Sequence, residues 1–98
     1  MKNEIKTTVV SIIYILSHND ATAWAKIFEE LNVELENDYE AALSSLRSLF
    51  GGAGSFTDLV LHKNKVPLTQ ENNELYALKN KLYNLLKVEL AKINSHKK

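Results

Sequence analysis

Apolar residues recur along this chain at helical spacing. Ile5, Val9, Ile12, Ile13 and Leu16 fall at i, i+4, i+7, i+8 and i+11, which lines one face of a helix. The β-branched residues among them would suit a strand, but the period is not two and the run is too long for one. The spacing predicts a first helix over Lys2–Ser17. A turn at His18-Asn19-Asp20 follows, with Asp20 placed to cap the next helix by accepting a backbone N–H. In that second helix Trp24, Ile27, Phe28 and Leu31 form the stripe, and Asn32 to Glu36 reads either as its last turn or as a loop. Asn37 or Asp38 caps a third helix marked by Tyr39, Leu43, Leu46 and Phe50, with Ala42 and Leu49 widening its apolar face.

The pattern stops at Gly51 and resumes at Thr69. All three glycines (Gly51, Gly52, Gly54) and the single proline, Pro67, lie in between. Gly51-Gly52 is expected to end the third helix with a positive φ at one of the two, and the glycines to permit a close backbone reversal. Ser55 and Asp58 have the spacing of a weak capping box. Phe56, Leu59, Val60 and Leu61 are too apolar for a free loop, so this segment is expected to fold back onto the core, with Leu59–His62 a candidate for a short extended piece. Thr69 then caps a long fourth helix. Glu71 and Glu74 suit its positive end, and Leu75, Leu78, Leu82, Leu85, Leu86, Leu90 and Ile93 mark its stripe. Ser95 to Lys98 is expected to fray. The fold class is therefore all-α. The chain reads as a single domain over 1–98, a bundle of about four helices with one long glycine-containing loop before the C-terminal helix.

Composition narrows the class of function. With no cysteine, disulfides and thiolate metal sites are excluded and a reducing cytoplasm is the expected setting. No stretch approaches the ~20 apolar residues that span a bilayer. Val9–Leu16 is interrupted by Ser11 and followed by polar Ser17 to Asp20, so it reads as a core helix and not as a secretory signal. The formal net charge is zero, which removes any global electrostatic argument for nucleic-acid binding, but the charges are unevenly placed. Asp20 to Glu40 holds seven acidic residues against Lys26, a net of −6, while Ala41 to Lys98 carries +5. So one-sided a run departs from the mixed-sign surface of an idle helix. It nominates Glu29, Glu30, Glu34, Glu36, Asp38 and Glu40 as a partner-binding face.

Catalytic constellations are weak. None of His18, His62 and His96 has an acidic or histidine residue at i+3 or i+4 that would build a metal face, so no metal site is expected. Gly51-Gly52-Ala53-Gly54-Ser55 is not a phosphate loop: the next lysine is Lys63, and a helix precedes it where a strand is needed. Ser55, Asp58 and His62 supply the residue types of a triad on one short loop, without an oxyanion site. The glutamate pairs Glu29/Glu30 and Glu34/Glu36 suit an acidic helix edge better than a glycosidase cleft. The expectation is a protein that is not an enzyme and needs no cofactor. Trp24 reads as core. Tyr76 and Tyr83, seven apart beside the leucine stripe, are either boundary residues or aromatic anchors for a partner. The basic residues Lys79, Lys81, Lys87 and Lys92, interleaved with Glu74 and Glu89, read as a solvated helix face rather than a nucleic-acid site.

The stretch Leu46-Arg47-Ser48-Leu49-Phe50-Gly51-Gly52-Ala53-Gly54-Ser55-Phe56-Thr57-Asp58-Leu59-Val60-Leu61 resembles a small bacterial helical family. That family is marked by an aromatic-Gly-Gly-x-Gly-Ser-Phe-x-Asp-Leu loop before a long leucine-rich helix, often after an Asn-Asn-Glu such as Asn72-Asn73-Glu74. The resemblance covers Ala41 to Leu86, and the motif marks the family without carrying an established chemistry. In size, composition and charge the chain is also similar to immunity proteins of contact-dependent growth inhibition systems. That likeness implies a cytoplasmic antitoxin that binds a cognate toxin domain, with the acidic run, outside the motif, as a variable face on a constant scaffold. An adaptor binding a non-toxin protein through Tyr76/Tyr83 or the glycine loop is the alternative.

Overall fold

A computed structural model describes residues 1–51 and 54–95. Four helices form the bundle: α1 (Lys2–Ser17), α2 (Thr22–Asn37), α3 (Tyr39–Ser48) and α4 (Thr69–Ser95). α1 packs against α2 and α4, and α3 packs against the same two helices, so the four close into a ring with α2 and α4 at opposite corners. The all-α bundle expected from the apolar periodicity is the fold. The core is the sum of the stripes: Ile5, Val9, Ile12 and Leu16 from α1, Ala25, Phe28 and Leu35 from α2, Leu43 and Leu46 from α3, and Leu75, Leu82 and Leu86 from α4, all buried. Of the expected stripe residues, Ile27 turns outward, and Trp24 is half-buried against the core.

The helix ends differ from the sequence reading in informative ways. α2 runs on through Asn37, because Leu35 continues its stripe into the core. Asp20 does not cap α2. It takes a left-handed φ of 63°, and the Ala21 N–H bonds back across it to the Leu16 carbonyl, which closes the C-terminus of α1 as in a Schellman motif. Ala21 occupies the N-cap of α2 without a side-chain bond. Asp38 does cap α3, its Oδ1 accepting the Ala41 N–H at 3.2 Å. α4 opens one residue ahead of the expected cap: the Leu68 carbonyl accepts the Asn72 N–H, which puts Thr69 inside the first turn.

The glycines behave differently too. α3 ends in a tightened turn, with Leu49 and Phe50 donating to carbonyls three residues back. Gly51 has no positive φ, and a Cβ there would meet only the Ser48 carbonyl at 3.6 Å. Gly52 lies outside the described residues. The positive φ falls on Gly54, at 75°, with open space where a Cβ would stand, so that glycine serves backbone conformation and not close approach. Of the tail expected to fray, Ser95 is helical, and residues 96–98 lie outside the described residues.

Between α3 and α4 the chain does fold back onto the core. Ser55 caps a short 3-10 turn, η1 (Phe56–Asp58), through its Oγ and the Thr57 N–H. Asp58 bonds the Gly54 N–H at 3.0 Å instead of completing a capping box. Phe56 is fully buried and meets three other rings, Trp24, Phe28 and Phe50, with centroids 4.7–5.6 Å away. A two-residue hairpin follows, β1 (His62–Lys63) pairing with β2 (Val66–Pro67). Its turn residues, Asn64 and Lys65, both have positive φ, as a type I′ turn requires.

Candidate functional site

Helix geometry divides the six acidic residues nominated from the sequence. Glu36 turns toward α1, where Lys2 (3.3 Å) and Lys6 both hold its carboxylate, and these lysines lower its pKa. Asp38 is committed to the α3 cap. Glu40, half-buried in the first turn of α3, is engaged within the chain. The remaining three share α2: Glu29 and Glu30 are exposed, Glu34 is half-buried, and none makes an ion pair among the described residues. Val33 lies one turn beyond Glu29 and Glu30 and is 61% exposed. The candidate surface is thus an apolar residue with carboxylates beside it on the outward side of α2. Sequence reasoning missed Val33, although it falls off the Trp24–Leu31 stripe, and an apolar residue off its helix stripe is the available signal.

A second surface surrounds the aromatic residues of α4. Tyr76 is 67% exposed. With Phe50, Asn80 and Tyr83 it borders a cleft of about 320 Å³. Tyr83 is already engaged: its hydroxyl accepts from Arg47 at 3.2 Å, the guanidinium lies over its ring, and Phe50 packs edge-on against it. Only Tyr76 therefore presents a free aromatic face.

Lys79 lines the same cleft from within and overturns one expectation. It is 8% exposed, not part of a solvated basic face. Its ammonium donates to the Leu59 carbonyl at 2.8 Å and the Thr57 carbonyl at 3.3 Å, and stands 5.1 Å from the centre of the Phe56 ring. Burial pushes its pKa down, opposed by the nearby Asp58 charge. Asn72 meets the same segment two residues on, accepting from the Leu61 N–H at 2.7 Å and donating to the Leu61 carbonyl at 2.9 Å. Asn72, Leu75, Lys79, Leu82 and Leu86 are spaced as one helix stripe. Its two polar members satisfy backbone groups that the folded-back loop would otherwise bury unpaired. That spacing was legible: Lys79 lies four residues after Leu75 and three before Leu82.

The residues weighed for catalysis are scattered. Asp58 bonds Gly54, Ser55 bonds Thr57 and the His62 ring bonds the Val60 carbonyl, each a local tie within the loop. His18 stacks on Tyr14 and bonds its carbonyl, and His96 lies outside the described residues. Among the described residues no three acidic or histidine side chains gather as metal ligands, and no helix is long and apolar enough to cross a membrane.

The sequence reading also missed a groove of about 740 Å³ between α1 and α4. Val10 and Tyr14, one turn apart on α1, form one wall and are 52% and 65% exposed. Both fall off the Ile5–Leu16 stripe, the same signal as Val33.

Comparison with curated proteins and with solved structures finds no match. One family model does match, over residues 17–69, from the end of α1 to the first residue of α4. This span takes in both the acidic run and the glycine loop, so its bounds do not follow the division into scaffold and variable face drawn from the resemblance. On that match, which covers more than half its length, the chain belongs to the family described as a domain of unknown function, DUF6966.

Proposed function

We propose that this protein is a cytoplasmic immunity protein that neutralises a cognate bacterial toxin by occluding it with the outward face of α2. The observation behind this reading is Val33, exposed beside Glu29, Glu30 and Glu34, none of which is held in an ion pair among the described residues. Burying an apolar centre within a charged rim is how protein interfaces gain affinity and selectivity together. A nuclease toxin must present a basic surface to hold phosphates, so an acidic inhibitor is steered to that surface and covers it. The mechanism is tight binding without turnover. Asp38 and Glu40 add negative charge beside that face while holding the fold, whereas the charge of Glu36 is offset by Lys2 and Lys6. Co-expression with the toxin domain encoded beside this protein tests the reading: the protein should restore growth, and a toxin that kills equally in its presence overturns the proposal.

Tyr76, exposed beside the Phe50–Tyr83 cleft, favours a second reading, an adaptor that binds a non-toxin protein there. A pull-down with Glu29, Glu30 and Glu34 reversed to lysine separates the two. Lost capture supports the α2 face, and retained capture supports the cleft.

A further inference from the structure

The groove between α1 and α4 carries a pattern that a second copy of this chain can read. Glu74, Ala77, Leu78 and Lys81 follow one another at i, i+3, i+4 and i+7 on α4 and line the groove. The two charged members and Ala77 are exposed, and Leu78 is half-buried. The stripe is symmetric about its middle: Ala77 and Leu78 straddle the centre, the acid stands three residues before Ala77, and the base three after Leu78. At 1.5 Å per residue the two charges lie about 5 Å to either side of that centre along the axis.

A two-fold interface places each surface residue against its counterpart in reversed order. We propose that this groove is the seat of a homodimer in which α4 packs antiparallel on α4 of a second copy about Ala77 and Leu78. Glu74 then faces the partner subunit's Lys81, and Lys81 faces the partner subunit's Glu74. Ala77, the smallest side chain of the stripe, stands at the axis and lets the helices approach closely. Val10 and Tyr14 flank the seam, and the dimer removes their apolar surface from water. In register, Glu71 meets the neutral Asn84 of the partner subunit, so no like charges are brought together. Because α2 sits at the opposite corner of the bundle, the dimer keeps its two α2 faces outward, and this inference does not depend on what α2 binds.

Sedimentation equilibrium of the full chain up to about 1 mM tests the interface, since weaker association has little meaning at ordinary concentrations. The protein should dimerise. Glu74→Lys alone, or Lys81→Glu alone, turns two attractive pairs into two repulsive ones and should weaken the dimer about tenfold or more. Both side chains are exposed and make no ion pair within the chain among the described residues, so the fold should persist, which circular dichroism verifies. The double variant restores the pairing with its signs exchanged and should recover the dimer. Mixing the two single variants is the sharpest arm: each alone should dimerise weakly, yet together they present only opposite charges across the seam and should form the tighter heterodimer. A wild-type protein that stays monomeric throughout overturns the proposal, and so does a dimer whose affinity ignores both reversals.

Discussion

Lys79 illustrates how a single residue can hold a loop whose sequence is too apolar to float and too polar in its backbone to be buried bare. Its ammonium takes the Thr57 and Leu59 carbonyls while its stem lies in the leucine stripe of α4. Lys79→Met keeps the stem and removes the donor, leaving both carbonyls short of a partner. The expected cost is about 2 kcal/mol, in the range for hydrogen bonds to charged groups. Urea unfolding checks it: the midpoint should fall while the slope stays constant. Tyr39 makes a second prediction, in alkali. It is half-buried, its hydroxyl donates to Glu89, and burial together with that carboxylate pushes its pKa well above the ordinary tyrosine value. The folded chain thus keeps a proton that the unfolded chain releases near pH 10. Tyr39's contribution to stability is complete below that pH and is lost as pH rises beyond it. A spectrophotometric titration should show a late tyrosine ionisation, and Tyr39→Phe should abolish that lag. A lag that survives the substitution assigns the effect elsewhere.

At the scale of elements, α1 was legible to its end residues because a single stripe of five apolar residues suffices to define a buried helix face. What the pattern could not supply was direction. The acidic run reads as one block along the chain, yet 100° per residue turns Glu36 toward two lysines of α1 and leaves Glu29 and Glu30 in water. Polar residues inside a stripe escape for the opposite reason: Lys79 reads as surface because of its type, and Asn72 reads only as part of a motif, while the spacing of both places them inward. The β1–β2 hairpin escaped because its turn is Asn-Lys, not Asn-Gly. The left-handed conformation of Lys65, φ 67°, is imposed by the surrounding structure against its own preference. Lys65→Gly should therefore stabilise the protein, by about 0.5 kcal/mol after the added freedom of the unfolded chain is counted. Gly54→Ala should do the reverse, costing about 1 kcal/mol, since its φ of 75° disfavours a Cβ even with open space around it. Thermal melts of the two variants should shift in opposite directions, and a shared direction would refute this account of the loop.

For the whole molecule the ring of helices matters most, because it separates two faces. α4 and α1 present the groove on one side, and α2 presents Val33 and its carboxylates at the opposite corner. Zero net charge conceals a molecule whose acidic residues concentrate between Asp20 and Glu40. The field in front of α2 can guide a basic partner even though the sum gives no hint of it. Salt measures that contribution directly. The Debye length falls from roughly 10 Å at 0.1 M to roughly 3 Å at 1 M, which removes long-range attraction and leaves the contacts of the bound state. Steering acts on association and the short-range contacts govern dissociation, so binding to a basic toxin domain should slow by about tenfold over that range while dissociation changes far less. Glu30→Lys should lower the association rate and flatten its salt dependence. Val33→Ala should leave association nearly unchanged and speed dissociation, because it removes buried apolar area and no charge. The two substitutions thus separate the two halves of the proposed face. Stopped-flow binding at several salt concentrations measures both, and a salt-independent association rate would remove the acidic mechanism even from a protein that proved to inhibit its toxin.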